Sequence, residues 1–273
     1  MEINEMTSCR VAVIGSGNMG GALLKGWARN SATADAAGPE LHLTATAHTQ
    51  RTLEVLTAQY PAIHTTLSNA DAVTDADVVV LAVKPWLVAD VLAEIRPALL
   101  ANNRRPVLIS VAANITSGEL QQLLGTDVPC VYAMPNIAAE YGQSMTFVEQ
   151  TPDAASTELA AWLMGLVGEV RVVAPRLMGP GMMMAGCGIA YVMRYLRAMM
   201  EGGVEMGFYP ADARQIALQT MQGAVSLLQE TGLHPEVAID KVTTPGGITI
   251  RGLNELDHCG FNSAVIRSLK AGL

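Results

Sequence analysis

Through residue 174 the apolar positions fall into short β-branched runs at residues 11–14, 41–47, 78–83, 107–111 and 128–134. Between them lie stretches, such as 49–59 and 86–100, in which apolar residues recur at helical spacing. This alternation predicts a parallel sheet wound with helices. Further strands at 144–148 and 170–173 flank a helix at 153–166. Residues 116–124 read as a short helix with Thr116 and Glu119 at capping-box spacing. Residues 30–40, rich in Ala, Ser and Gly, read as a loop. From Pro175 onward no strand pattern persists, and helices are expected near 189–206, 210–231, 235–241, 248–257 and 262–271. Pro210-Ala-Asp212 and His234-Pro-Glu236 place a proline and an acid in a first helical turn, as helix starts prefer.

The strand-like run Arg10-Val-Ala-Val-Ile14 delivers Gly15-Ser16-Gly17-Asn18-Met19-Gly20 into an apolar helical stretch at 22–29. In this spacing the first glycine permits a tight turn, the second lets a pyrophosphate approach the backbone, and the third lets helix pack on strand. The amides of Ser16 to Met19 would then meet the phosphates at the positive end of the helix. Glycines also punctuate ordinary strand-to-helix turns, but the flanking strand and helix favour a dinucleotide site. The expected fold class is α/β: an N-terminal Rossmann-type doubly wound parallel sheet over residues 1–174, followed by an all-α helical domain over 175–273.

Composition narrows the function. Charged residues make up 15% of the chain, its net charge is −8, and no basic stripe offers a nucleic-acid surface. The start is acidic and no run of apolar residues is long enough to span a bilayer, so a soluble, cytoplasmic protein that avoids membranes is expected. Cys9, Cys130, Cys187 and Cys259 lack C-x-x-C spacing, which argues against a zinc or redox site. Fifteen methionines, many of them beyond residue 160, give helices apolar nearly all round. Such helices need either a large core or a partner copy to cover them, and a homodimer or higher homo-oligomer is expected.

A dinucleotide domain joined to a helical one suggests hydride transfer, and the remaining inventory limits its substrate. The lysines are Lys25, Lys84, Lys241 and Lys270, and no histidine lies between His64 and His234. An alcohol or hydroxy-acid dehydrogenase generally needs Lys, His or Tyr to manage the hydroxyl proton. A β-hydroxyacid dehydrogenase in particular would need a lysine in the first long helix of the helical domain, and residues 191–206 contain none. A protonated imine makes no such demand, because it needs only a hydride donor held at its carbon. Tyr132, Tyr141, Tyr191 and Tyr195 remain as acids, although packing with satisfied hydroxyls is the commoner role.

A second dense motif runs Lys241-Val-Thr243-Thr244-Pro245-Gly246-Gly247-Ile248-Thr249. Hydroxyls, a proline and two glycines ahead of a helix make an amide-rich turn suited to a small carboxylate. A plain helix cap preceded by proline would explain part of it.

Together with Gly15–Gly20, Ala82-Val83-Lys84-Pro85 and Met134-Pro135-Asn136, this turn resembles the pyrroline-5-carboxylate reductases over nearly the full chain. The most specific likeness is to the V-[ST]-[ST]-P-G-G-x-T signature, at residues 242–249. The resemblance implies NAD(P)H-dependent reduction of the cyclic imine 1-pyrroline-5-carboxylate to L-proline, the last step of proline biosynthesis, by an intertwined dimer. By motif position Thr249 would hydrogen-bond the ring nitrogen as the catalytic residue, while Thr244, Gly246, Gly247 and Ile248 cradle the carboxylate. Ala82, Val83, Lys84 and Pro85 would lie against the cofactor, and Met134, Pro135 and Asn136 would border nicotinamide and substrate.

This chain departs from the family pattern at several positions. Tyr132 stands where an arginine is common, Ile137 replaces a threonine, and Ala185, Cys187 and Ile189 replace two serines and a proline. Three readings therefore remain open: reduction of 1-pyrroline-5-carboxylate, reduction of a larger or less polar cyclic imine, and a non-catalytic nucleotide-binding paralogue. The end of the second strand, Ala45-Thr-Ala-His48-Thr49-Gln-Arg51, has no acid to hold ribose hydroxyls. With His48, Thr49 and Arg51 at the adenosine end, NADPH is expected, with NADH the alternative.

Overall fold

A computed structural model describes residues 6–31 and 38–273. Most of the loop read at 30–40 lies outside the described residues. β1 (Ser8–Ile14), β2 (Glu40–Thr46), β3 (His64–Thr66), β4 (Val78–Leu81), β5 (Val107–Ser110), β6 (Cys130–Met134), β7 (Ser144–Glu149) and β8 (Gly168–Val173) form one sheet in the order β3-β2-β1-β4-β5-β6-β7-β8. Neighbours are parallel except β6 and β7. The link from Met134 to Ser144 is too short for a crossover helix, so β7 returns antiparallel.

Side chains alternate across β1, so Val11 and Val13 enter one core while Ala12 and Ile14 enter the other. Both faces of the sheet are dry at β4, β5 and the second half of β1, which explains why these strands are apolar almost throughout. One core takes Trp27 from α1 (Asn18–Ser31), Leu53 from α2 (Gln50–Gln59) and Leu163 from α6 (Ala154–Gly165). The other takes Val73 from α3 (Asn69–Val73), Leu92 from α4 (Val88–Ala101) and Leu120 from α5 (Ser117–Leu124). This is the doubly wound sheet expected from the alternation of runs.

The strand expected at 78–83 ends at Leu81, because Ala82 and Val83 turn toward the glycine loop. The helix expected at 86–100 is preceded by a 3-10 turn at Pro85–Leu87. β3 and α3 were not expected from the pattern.

A second compact unit, Cys187–Leu273, follows the first, Met1–Gly186. A short helix α7 (Met178–Gly181) and a π-helical turn at Met182–Cys187 lead into it. Its helices are α8 (Gly188–Glu205), α9 (Pro210–Thr231), α10 (Pro235–Lys241), α11 (Ile248–His258) and α12 (Phe261–Lys270). α8 and α9 meet where Gly203 faces Ala213 so closely that a Cβ on Gly203 would stand 3.1 Å from the alanine methyl. Large apolar side chains remain uncovered in this unit, among them Met193, Met206, Tyr209 and Ile248. No helix among the described residues is long and apolar enough to cross a membrane.

Candidate active site

The glycine turn follows β1 directly. Gly15 has φ +97°, a conformation open to glycine, and a Cβ there would meet the Ala82 carbonyl at 2.9 Å and the Val83 side chain at 3.0 Å. A Cβ on Gly20 would stand 2.0 Å from the Gly15 carbonyl oxygen, so the first turn of α1 packs on the strand only with glycine here. Gly17 is different. Nothing lies within 4 Å of its Cβ position, and its φ is not in the left-handed region. The fold does not need glycine at 17, but a pyrophosphate approaching the backbone does, so these residues fit a dinucleotide. The leading amides of α1 have no intrahelical acceptor, and its first turn carries no acid that would repel phosphate.

Thr46, buried at the end of β2, locks this turn in place. Its hydroxyl accepts from Gly15 N–H (3.2 Å) and donates to Asn69 Oδ1 (2.7 Å), while its carbonyl accepts from Ser16 Oγ (2.7 Å). Asn69 Nδ2 in turn donates to Glu94 (3.0 Å). Neither Thr46 nor Asn69 carries a motif in the sequence, where the one signal is a polar residue ending a strand largely buried in its second half. His48 and Arg51 are exposed beyond the same strand end, and Thr49 caps α2 by accepting from Thr52 N–H. Lys84 is exposed at the start of the 3-10 turn, with Pro85 in its first position.

Just past the end of β6, Asn136 is 7% exposed and both ends of its side-chain amide are paired. Oδ1 accepts from Ala138 N–H (3.0 Å) and caps the 3-10 turn at Ile137–Tyr141, while Nδ2 donates to the Ala185 carbonyl (3.3 Å). Its own N–H donates to Ser144 Oγ (3.1 Å). Asn136 therefore shapes the segment, whereas Met134 and Ile137 are its accessible apolar side chains.

In the helical unit, Gly247 N–H donates to the Thr244 carbonyl (2.9 Å) and Gly246 has φ +69°. This is the turn that proline and glycine at its two central positions select. Gly247 is the N-cap of α11, and no side chain caps the helix. The cap is thus backbone alone, at Gly247 two residues after Pro245, and the hydroxyls take no part in it: Thr243 Oγ1 donates back to Ile239, and Thr244 Oγ1 lies 2.6 Å from the Cβ position of Gly247. The leading amides of α11 have no intrahelical acceptor, and Thr249 is exposed in its first turn.

The tyrosines have structural partners. Tyr132 is buried and its hydroxyl is paired, with burial foremost in pushing its pKa above the usual value. Tyr141 lies under the Arg29 guanidinium at 4.9 Å, Tyr191 donates to the Ser268 carbonyl (3.3 Å), and Tyr195 packs on Phe261. A cleft of about 500 Å³ lies on the open flank of β1 to β3 beside α3, lined by Arg10, His42, Thr44, His64 and Asp71 among others. It contains none of the glycine-turn residues, and its polar walls are those of a sheet face that the short α3 leaves uncovered.

Comparison with known proteins agrees with this layout. A family described as pyrroline-5-carboxylate reductase dimerisation matches residues 175–273, and one described as NADP oxidoreductase coenzyme F420-dependent matches residues 10–114. The chain is 36% identical to pyrroline-5-carboxylate reductase 1 of Dictyostelium discoideum, over 95% of this chain but 48% of that one, so it spans about half the length of that relative. It is 31% identical to the pyrroline-5-carboxylate reductase of Corynebacterium melassecola, over 96% of this chain and 95% of the other. The structure of Plasmodium falciparum pyrroline carboxylate reductase with NADP bound shares the fold at a TM-score of 0.84 and 23% identity, covering 98% and 96% of the two chains. Near-complete mutual coverage of the Corynebacterium enzyme, joined to the two amide-rich turns, establishes that this chain belongs to the pyrroline-5-carboxylate reductase family.

Proposed function

We propose that this protein reduces 1-pyrroline-5-carboxylate to L-proline using NADPH. The observation that carries this reading is the pair of glycine turns that lead into helix starts free of acidic residues: Gly15 to Gly20 into α1 and Thr244 to Gly247 into α11. The first suits a pyrophosphate and the second a small carboxylate. Bound NADPH supplies a hydride to the imine carbon, and the electrons of the C=N bond pass to a nitrogen that already carries its proton. The protein therefore has no proton to deliver during the transfer, which accords with the absence of Lys and His from the central region.

The chain's own groups orient and stabilise. Amides of Ser16 to Met19 hold the pyrophosphate, while Ala82 to Pro85 form the surface against which the cofactor rests. His48 and Arg51 meet the additional phosphate of NADPH. Thr244, Gly246, Gly247 and Ile248 cradle the carboxylate, and the Thr249 hydroxyl orients the ring nitrogen, a charge-assisted contact worth roughly 1.5–3 kcal/mol. Met134, Pro135 and Asn136 border the nicotinamide and ring. Residues 1–174 act as the nucleotide domain and 175–273 as the dimerisation and substrate domain, a division supported by the start of the dimerisation match at 175. The exposed apolar faces of α8 and α9 support a homodimer as the smallest working unit.

Ile137 is 48% exposed beside the Asn136 cap, which favours as a second reading a larger or less polar imine. Steady-state kinetics with five- and six-membered cyclic imine carboxylates test both: the proposal expects the five-membered ring to give the higher kcat/KM, and the second reading expects the reverse.

A further inference from the structure

We infer that Tyr132 is a positioning residue, whose hydroxyl ties the turn after β5 to Met134 and so sets the apolar wall beside the reacting imine. This rests on the reading of Met134 as a substrate-bordering residue.

Tyr132 lies on β6 opposite Ser110 of β5, with 3% of its surface exposed. Its ring is fixed by packing, which leaves the hydroxyl as the one polar atom the side chain must satisfy. The hydroxyl accepts from the Asn114 backbone N–H at 3.1 Å and donates to Met134 Sδ at 3.5 Å. Asn114 has φ +60°, so the turn after β5 bends through a left-handed residue whose amide points at the tyrosine oxygen. One buried oxygen thus joins the carboxyl ends of two neighbouring parallel strands, the edge at which open α/β sheets bind ligands.

Methionine needs such a tether. Its three-bond side chain is flexible, and an unrestrained thioether would sample several rotamers at a surface required to hold one shape. The Met134 methyl lies 3.6 Å from the Cβ position of Gly186. Burial keeps the phenol protonated well above neutral pH, so the donor to sulfur persists throughout the working range. Glu149, a buried carboxylate nearby, is engaged by Ser117 N–H at 2.9 Å.

The test is a double-mutant cycle of Tyr132→Phe, Met134→Leu and the pair, read by steady-state kinetics on the full-length protein with 1-pyrroline-5-carboxylate and NADPH. Tyr132→Phe keeps the ring, and Met134→Leu keeps the volume while removing the sulfur acceptor. The expected result for Tyr132→Phe is a rise of about 3- to 10-fold in the imine KM, with kcat within about 2-fold and the NADPH KM unchanged. In the Met134→Leu background the further change to Phe should raise the KM by less than about 2-fold. An unchanged imine KM in Tyr132→Phe, or single losses that multiply in the double variant, would overturn the inference. So would a lowered Tm with kinetics unaltered, the behaviour of a hydroxyl that serves folding alone. Inactivity of the unsubstituted protein on the imine is the separate failure of the functional reading, and it shows before any variant is compared.

Discussion

Gly26 of α1 meets the carbonyl of Ala139 so closely that a Cβ on the glycine would stand 2.2 Å from the oxygen. Lys25, next to it, pairs with Glu140 at 3.3 Å, and Arg29, one turn on, donates to the Glu140 carbonyl. The helix whose start holds the glycine turn is therefore fastened along its side to the 3-10 turn that follows Met134 to Asn136. Gly26→Ala should destabilise the protein by about 2–3 kcal/mol, since backbone must move to admit the methyl. Gly118→Ala, on the exposed side of α5 with nothing within 4 Å, should be neutral or stabilising by up to about 1 kcal/mol. Urea unfolding of the two variants checks the contrast, and equal effects would contradict it.

Gly17 separates folding from binding. With open space at its Cβ position, Gly17→Val should leave the urea midpoint close to that of the parent. Its side chain would occupy the approach of the pyrophosphate and weaken NADPH binding by about 30-fold or more, roughly 2 kcal/mol. Titration of nicotinamide fluorescence measures this, and near-parental affinity would remove the phosphate from this turn.

Burial pushes the thiols of Cys9 and Cys130 from 9.0 up to about 12, with Asp77 adding to the push at Cys9. Above pH 9 the unfolded chain releases these protons while the folded one retains them. The associated stability is complete below that pH and is lost as pH rises toward 12, with a slope of about 1.4 kcal/mol per pH unit for each thiol. Cys130→Ala should flatten the decline in unfolding free energy between about pH 9 and 10.5 while lowering stability at neutral pH. A slope equal to the parent's would mean that the thiol titrates alike in both states.

The proposed homodimer is expected to bury the apolar faces of α8 and α9. Met193, Val204, Met206 and Ile216 are each more than 40% exposed in a single chain, the kind of apolar exposure that marks an interaction surface. Light scattering at micromolar concentration should give a dimer or a larger even assembly, and a stable monomer would contradict this.

Much of this molecule is legible along its chain where local chemistry and global pattern agree. The capping box formed as its spacing implied: Thr116 Oγ1 accepts from Glu119 N–H at 3.2 Å, and the Glu119 carboxylate takes the Thr116 N–H at 2.8 Å. Helix starts at Pro210 and Pro235 likewise fall where proline and acid placed them. β3 escaped notice because His64-Thr-Thr66 is short and polar, and it becomes a strand only by pairing with Thr44 to Thr46. The π turn at Met182–Cys187 has no compositional signature in Met-Met-Met-Ala-Gly-Cys, since i to i+5 bonding arises from how the segment packs. The glycine positions of the two turns could be read directly. The side chains that tether the loops at the sheet's carboxyl edge could not, because Thr46, Asn69 and Tyr132 act through partners 18 to 31 residues away in sequence.

The proposed imine reduction is positioned by Thr249 and needs no obligatory side-chain acid. The most direct measurement follows loss of nicotinamide absorbance when NADPH and 1-pyrroline-5-carboxylate are mixed with the parent protein and with Thr249→Ala across a pH series. Turnover should fall as pH rises through the imine's own pKa, and the Thr249→Ala rate should be lower by about 10- to 100-fold but not abolished. Failure of the parent to oxidise NADPH with the imine, or a Thr249→Ala rate equal to the parent's, would contradict the proposal.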